Sequence, residues 1–401
     1  MTNSISDPIV IAGYARTPMG GLMGELSEAS ANELGGTAMK AALERSGMGA
    51  EAVDETIMGN VLMAGQGQAP GRQAGYHAGL GDGVPAVTIN KMCGSGMKAA
   101  MMAHDQLLAG GDQVILAGGM ESMSNAPYLL PKMRGGARFG HAEVLDHMKL
   151  DGLEDAYEGQ GAGGIAMGCY AEDLAEKYQF SREDQDAFAL ESLSRAQKAQ
   201  ENGTFASEIA SHTISSRKGD VVVDKDEGPR TARPDKIPSL RPAFSKDGTI
   251  TAANASSIND GAAALVITRQ SVAEAHGARI TARIAGHASH SHEPRWFTTA
   301  PVSAMQKLMG RLGWQSGDVD LWEVNEAFAV VPMAAMRELN IGHDKLNVNG
   351  GACALGHPIG ASGARILVTL LAAMEAQDVQ TGMAALCIGG GEGVAMAVER
   401  V

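Results

Sequence analysis

The sequence predicts an α/β protein built of two similar halves with a looser domain inserted between them, and three observations carry that prediction. Short apolar runs of strand character alternate with helical patterns up to about residue 124 and again from residue 279 onward; that alternation implies parallel pairing within an α/β layer. Three landmarks recur in the same order. Val53-Asp54 followed by Asn60 is echoed by Val319-Asp320 followed by Asn325, and Gly94-Ser95-Gly96 opening an apolar helix is echoed by Ala361-Ser362-Gly363. Ala117-Gly118-Gly119-Met120-Glu121 closing a strand is echoed by Ile388-Gly389-Gly390-Gly391-Glu392. Such internal self-similarity marks a repeated unit. Between 125 and 256 the texture turns polar and charge-rich. The expected organisation is therefore a first half over 1–124 completed by 257–278, an inserted loop domain over 125–256, and a second half over 279–401.

Taken in order, Ile9 to Ala12 is a short apolar run bounded by Pro8 and Gly13, which suits a buried strand. Ala31 to Ser46 has helical spacing with Gly47 just past its end. Thr56 to Met63 reads as a strand, Gly71 to Gly79 as a helix and Val84 to Asn90 as a strand. The segment opened by Gly94 is apolar almost all round, from Ala99 to Leu108, so it must be buried. Gln113 to Gly119 closes the unit as a strand. In the insert, Ala171 to Tyr178 and Arg182 to Asn202 are amphipathic helices, and Asp224 to Pro242 is a long loop bearing prolines and charges. Gly261 to Thr268 returns to a buried strand.

Composition narrows the class. A chain of 401 residues exceeds one ordinary core. Its hydrophobic fraction of 44%, charged fraction of 19% and lack of long apolar runs describe a globular protein outside the membrane. A net charge of −14 argues against a non-specific nucleic-acid binder, which needs a basic face. Cys93, Cys169, Cys353 and Cys387 are widely spaced with no CxxC pair, so reduced thiols and a cytoplasmic location are expected. No secretory signal or peroxisomal tripeptide is visible.

Chemistry concentrates in glycine beds. Asn349 to Gly363 sets His357 among five glycines beside Pro358, ahead of an apolar helix; a main chain without Cβ atoms admits close approach. The alternative is a turn into a helix with an incidental histidine. Cys93 stands where a strand gives way to a helix, where unpaired N–H groups and the helix dipole favour thiolate and its own amide can face an oxyanion. The alternative there is a buried structural thiol. Cys387 ends a strand before Gly389 and, walled by apolar groups, can serve as an acid or base. Asn325 can hold a water or donate to an oxyanion, or be a turn residue.

Four blocks, Cys93-Gly-Ser-Gly96, Asn325-Glu-Ala-Phe328, Gly350 to Gly360 and Cys387-Ile-Gly-Gly390, together resemble the signature blocks of the thiolases of the acetyl-CoA acetyltransferase group. The resemblance runs from Ala15-Arg-Thr-Pro18 to Gly391. It implies the thiolase fold, with two βαβαβαββ halves stacked as five layers α-β-α-β-α. It also implies reversible condensation of two acetyl-CoA into acetoacetyl-CoA plus coenzyme A. Cys93 would be acylated, His357 would activate it and Cys387 would move the α-proton. One oxyanion hole would come from His357 with a water on Asn325, the other from the amides of Cys93 and Gly389. By the same resemblance Met167, Arg230, Phe244, Ala252, Ser256, Ala327 and Phe328 would bind coenzyme A. No metal or permanently bound cofactor is expected, nor a nucleic-acid or membrane partner. Gly136 to Leu153 resembles a tetramerisation loop, so a homotetramer is expected.

Departures from the pattern are Ala166 where histidine is common, the glycine-rich 159–164, Glu392 where glutamine is usual, and Cys353, read as core filler. Three rivals remain. A degradative 3-oxoacyl-CoA thiolase would take longer chains. A decarboxylating ketoacyl synthase would normally pair its cysteine with two histidines, against which stands Asn325. A non-catalytic acyl-CoA or lipid-binding member would lose one of Cys93, His357 or Cys387. The dinucleotide-like run 159–164 follows no apolar strand. His287, His290 and His292 lack further ligands at metal spacing and read as a solvated loop.

Overall fold

The computed structural model describes residues 7–158, 164–217 and 219–401. Its long strands are β1 (Ile9–Arg16), β2 (Glu55–Gly59), β3 (Ala86–Ile89), β4 (Val114–Ser122), β5 (Asn259–Arg269), β6 (Ala282–Ser291), β7 (Leu321–Val324), β8 (Thr381–Ile388) and β9 (Glu392–Arg400). They run in the order β7-β8-β9-β6-β1-β5-β4-β2-β3. The order is two copies of one pattern set back to back. In the first half β1·β5 and β5·β4 are antiparallel and β4·β2 and β2·β3 parallel. In the second half β6·β9 and β9·β8 are antiparallel and β8·β7 parallel, and a parallel bridge from Trp322 to Leu346 stands where a fifth strand would be. β1 meets β6 at the seam, Val10 opposite Arg283 and Ile11 opposite Ala282. Even the irregularity repeats: β1 shifts register between Ile11 and Gly13, and β6 between Ile284 and Gly286.

The helices fill three layers around these strands. α1 (Ala31–Ser46) and α2 (Pro70–His77) cover one outer face, with Ala38, Met39 and Ala42 against Ala264 and Val266. α6 (Ala300–Leu312) and α7 (Val330–Leu339) cover the other, around Met305, Leu308 and Trp322. Between the halves lie α3 (Ser95–Ala109) and α8 (Ser362–Gln377), in a core that includes Met97, Ala100, Ile366 and Leu370. These two central helices meet backbone to backbone. A Cβ on Gly363 would stand 2.4 Å from the Met97 nitrogen, and one on Gly96 would stand 2.7 Å from the Ala364 nitrogen. Only glycine permits that approach, which explains the repeated Ser-Gly pair.

Among the described residues, no strand between Ser122 and Asn259 joins the large sheet, which this stretch touches through a parallel bridge from Ile209 to Arg16 at the end of β1. This stretch holds α4 (Met167–Tyr178) and α5 (Arg182–Glu201), with small strand pairs at Tyr128–Leu129 with Leu145–Asp146 and His212–Ile214 with Val221–Val223.

Several sequence expectations shift. β1 continues through Gly13 to Arg16 because Gly13 carries the bulge and presses on α1, where a Cβ would lie 2.2 Å from the Ala42 carbonyl oxygen. β2 stops at Gly59, since the amides of Val61 and Leu62 turn to the Glu121 carboxylate at 3.0 Å each. α4 begins at Met167, four residues earlier than expected, and 224–242 includes the short helix Glu227–Thr231 and a 3-10 turn at Pro234–Ser239. His287 and His290 belong to β6 rather than to a loop. All but Gly164 of the 159–164 run lies outside the described residues.

Candidate active site

The turn after β8 and the turns leading into α3 and α8, drawn from both halves, converge on a cavity of about 530 Å³. Cys93 and His357 both line it, with Met92, Met167, Phe244, Ser256, Ile258, Phe297, Ala327, Phe328, Ile359 and Gly389 among the other walls. Most of that lining is apolar, as in sites that enclose a small molecule around a few convergent polar groups.

Cys93 sits two residues before α3, after Met92 in a left-handed conformation with φ 48°. Such backbone is uncommon for a residue with a side chain and persists where surrounding structure fixes it. Ser95 fixes it here: its hydroxyl donates to the Met92 carbonyl at 2.7 Å and accepts from the Lys91 amide at 2.8 Å. The Cys93 sulfur is hydrogen-bonded by two amides, that of Gly389 and its own. Burial pushes the thiol up to about 11 against the pull of those amides. The free enzyme thus holds a neutral thiol beside two preset donors.

His357 is buried and its ring state is fixed by its neighbours. Ser362 donates its one hydroxyl proton to the Pro358 carbonyl at 2.8 Å, so it accepts from His357 Nδ1 at 2.5 Å. Nδ1 therefore carries the hydrogen, and Nε2 presents a lone pair. Nε2 has no hydrogen-bond partner among the described residues. Burial, with Arg365 nearby, lowers this imidazole to about 4. The amide of His357 is held by the Ser257 carbonyl at 3.2 Å and by Asn259 Oδ1 at 3.3 Å.

Cys387 is fully buried near the end of β8 and does not line the cavity. Burial, then the neighbouring Cys93, raises its thiol well above the usual range. Asn325 follows β7, fully buried, its amide bonded to the Ala385 carbonyl at 3.0 Å; its side-chain Nδ2 has no partner among the described residues, and its Oδ1 accepts from Arg365 at 3.5 Å. Arg365 in turn pairs with Glu323 at 2.9 Å, both buried. Burial raises the Glu323 carboxyl and Arg365 pulls it back. The structure thus brings Cys93, His357, Gly389 and Cys387 together, with Asn325 one layer behind.

Met167, Phe244, Ser256, Ala327 and Phe328 line the cavity; Ala252 and Arg230 do not. Arg230 instead pairs with Glu25, 2.5 Å away. Phe244 is packed over Gly168, where a Cβ would meet its ring at 2.3 Å, and meets Phe328 edge-on at 6.0 Å. Ala166 also lines the cavity, at the start of α4. Glu392 ion-pairs with Lys91, clipping the loop after β8 to the turn before Cys93.

Sequence reasoning missed the supports. Glu121 is buried and accepts from Asn60 Nδ2 at 2.7 Å, from the Val61 and Leu62 amides, and from the Gly360 amide at 2.8 Å. It ties the His357 loop to the end of β4. Its place in the repeated Gly-Gly-x-Glu landmark was a legible signal; the partners of Ser362 and Arg365 left none.

With this geometry in hand, comparison with known proteins gives one answer. The thiolase N-terminal domain family matches residues 9–271 and the thiolase C-terminal domain family residues 278–400. The chain belongs to the thiolase family. It is 49% identical to an acetyl-CoA acetyltransferase of Escherichia coli over 98% of this chain and 99% of that one, and 46% identical to one of Allochromatium vinosum over 99% and 100%. Among solved structures it is similar to the Acat5 thiolase of Ascaris suum in complex with coenzyme A, with TM-score 0.91, 40% identity and coverage of 98% and 100%. The acetyl-CoA acetyltransferase of Bacillus anthracis superposes with TM-score 0.94 at 39% identity, covering 98% and 99%.

Proposed function

We propose that this thiolase is an acetyl-CoA C-acetyltransferase joining two acetyl-CoA molecules into acetoacetyl-CoA and coenzyme A, and running the reverse thiolysis. The observation that carries the reading is the pairing of a thiol held by two amides with an imidazole whose free nitrogen is a base, in one largely apolar cavity. His357 Nε2 takes the Cys93 proton as the sulfur attacks the acetyl carbonyl. The coenzyme A thiolate leaves, protonated from Cys387, and acetyl-Cys93 remains. Cys387, now a thiolate, removes the α-proton of a second acetyl-CoA, and the carbanion displaces Cys93 from its acetyl group, forming the carbon–carbon bond. The amides of Cys93 and Gly389 serve the acyl oxygen in the first and last steps, and His357 with a water on Asn325 serves the enolate oxygen.

Met167, Phe244, Ser256, Ala327 and Phe328 would enclose the pantetheine arm. Arg230 would reach a phosphate only by exchanging Glu25 for it, and Ala252 would lie beyond the cavity toward the nucleotide. The relatives named acetyl-CoA acetyltransferase support the short acyl group. A chain-length series of 3-oxoacyl-CoA substrates tests it: kcat/KM should be highest for acetoacetyl-CoA and fall as the chain lengthens, and a maximum at longer chains would point to a degradative enzyme instead.

The same reading makes the enzyme cytoplasmic and a homotetramer. No described helix is long and apolar enough to cross a membrane. Support for assembly comes from the strand pair 128–129 with 145–146, whose connection exposes Tyr128, Leu130, Phe139 and Val144. Exposed apolar side chains clustered on one projecting segment are what a partner surface buries. Light scattering should give four chains, and Phe139→Asp should lower that mass; a one-chain mass for the unaltered protein would refute the assembly.

A further inference from the structure

We propose that His104, Asp105 and His287 form a divalent-cation site, of a kind suited to Zn2+, that staples the central helix of the first half to the first strand of the second. His104 and Asp105 lie on α3 and His287 on β6. His104 Nδ1 is 3.3 Å from Asp105 Oδ1, and His287 Nε2 is 2.9 Å from the same oxygen. Each of the three side chains offers one ligand atom within 4.8 Å of the other two. The two imidazoles stand nearly perpendicular, 88° apart with centroids 5.0 Å apart, edge to face rather than stacked, and both turn a nitrogen to Asp105 Oδ1.

The spacing fits a small ion. With bonds of about 2.0–2.1 Å, the ligand atoms of a tetrahedral Zn2+ lie roughly 3.3 Å apart. The His104–Asp105 contact of 3.3 Å already fits, the His287–Asp105 contact of 2.9 Å needs to open by a few tenths of an ångström, and the remaining pair lies within 4.8 Å. Two nitrogens and one carboxylate oxygen suit zinc and its borderline neighbours, whereas Ca2+ and Mg2+ prefer oxygen throughout. His104 and His287 are mostly covered while Asp105 is half open, giving an entry path and a fourth position for water. The Arg311 guanidinium is turned onto the His287 carbonyl at 3.2 Å. The site lies toward the C-terminal end of α3, whereas Cys93 precedes its N-terminus, and none of its three residues lines the Cys93 cavity or carries part of the proposed acyl transfer. What it would add is a cross-link between elements far apart in sequence.

The neighbouring histidines form a built-in control. His290 Nε2 faces His292 Nδ1 at 3.3 Å, and His292 Nε2 donates to the Trp296 carbonyl at 2.7 Å, so that pair spends its nitrogens on other partners.

The test uses the full-length enzyme stripped with EDTA and titrated with ZnCl2 by calorimetry, with Co2+ absorption as a second probe. The expected result is one ion per chain, a raised melting midpoint, and a tetrahedral Co2+ spectrum lacking the thiolate charge-transfer band. His287→Gln and Asp105→Asn should each weaken binding by more than the ~10-fold that loss of even an outer partner of a metal ligand costs. Thiolysis by both variants without metal should be unchanged, which also shows that they fold. His290→Gln should bind as the parent does. Absence of saturable binding overturns the proposal, as does binding that survives His287→Gln, is lost in His290→Gln, or shows the thiolate band.

Discussion

Replacing Gly119 by alanine should uncouple the catalytic loop from an otherwise intact fold. Gly119 lies in β4, and a Cβ there would stand 2.1 Å from the Gly360 carbonyl oxygen and 3.0 Å from the Ala361 Cα. Because such contacts do not fall below 3.0 Å, the loop must retreat by at least about 0.9 Å, the difference between 3.0 and 2.1. The atoms in the way are backbone, so no side chain can rotate aside. Gly360 is also held from β4 by Glu121, and His357 lies three residues before it, so the displacement is passed to the base. Overpacking of this size costs about 1–3 kcal/mol. At roughly 2.1 cal/mol/K per residue, a chain of 401 residues then loses only ~1–4 °C at the midpoint. A displacement near 1 Å at a reacting group can lower kcat by ~100-fold. Thiolysis of acetoacetyl-CoA and a thermal melt on the same preparation separate the two effects. Gly111→Ala, where nothing lies within 4 Å of the added methyl, is the control. Full activity in Gly119→Ala would refute the claim that β4 sets the position of the His357 loop.

His357→Asn should reduce kcat/KM by about 10²–10⁴, the usual worth of a positioned base. The same substitution has a pH signature. The folded imidazole is lowered to about 4 from its ordinary 6.5, so the unfolded chain binds the extra proton between those values. Stability from this group is full above pH 6.5 and falls as pH drops toward 4, by about 3 kcal/mol; denaturant melts at pH 7.5 and 4.5 should show this slope in the parent and not in the variant. Arg365→Met leaves the Glu323 carboxylate buried without its cation and should cost about 3–5 kcal/mol. Because loss of Arg365 raises that carboxyl further above its ordinary 4.5, the deficit should grow as pH rises; adding Glu323→Gln should recover part of it, and strict additivity of the two changes would contradict a direct pair.

Much of this was legible before the coordinates. The repeated glycine landmarks helped predict two similar halves because they mark places where backbone approach, not side-chain identity, is at stake: Gly96 against Ala364, Gly363 against Met97, Gly119 against Gly360. Cys93 and His357 stood out for the same reason. Strand ends were less legible. Gly13 bounds the apolar run in sequence, whereas its bulge lets β1 continue, and Val61 and Leu62 have strand character although their amides turn to Glu121. The tautomer of His357 was beyond the sequence altogether, since it depends on Ser362 spending its proton on Pro358. The contrast between Phe244, which faces the cavity, and Arg230, which is paired with Glu25, likewise required tertiary contacts.

The account stands on Cys93 as the acyl carrier. Mixing the enzyme with acetyl-CoA alone, quenching in acid and mapping peptides by mass spectrometry should find one acetyl group, on the peptide containing Cys93, absent from Cys93→Ala and discharged when coenzyme A is added before the quench. An acetyl group on Cys387 instead, or turnover by Cys93→Ala at the parent rate, would contradict it.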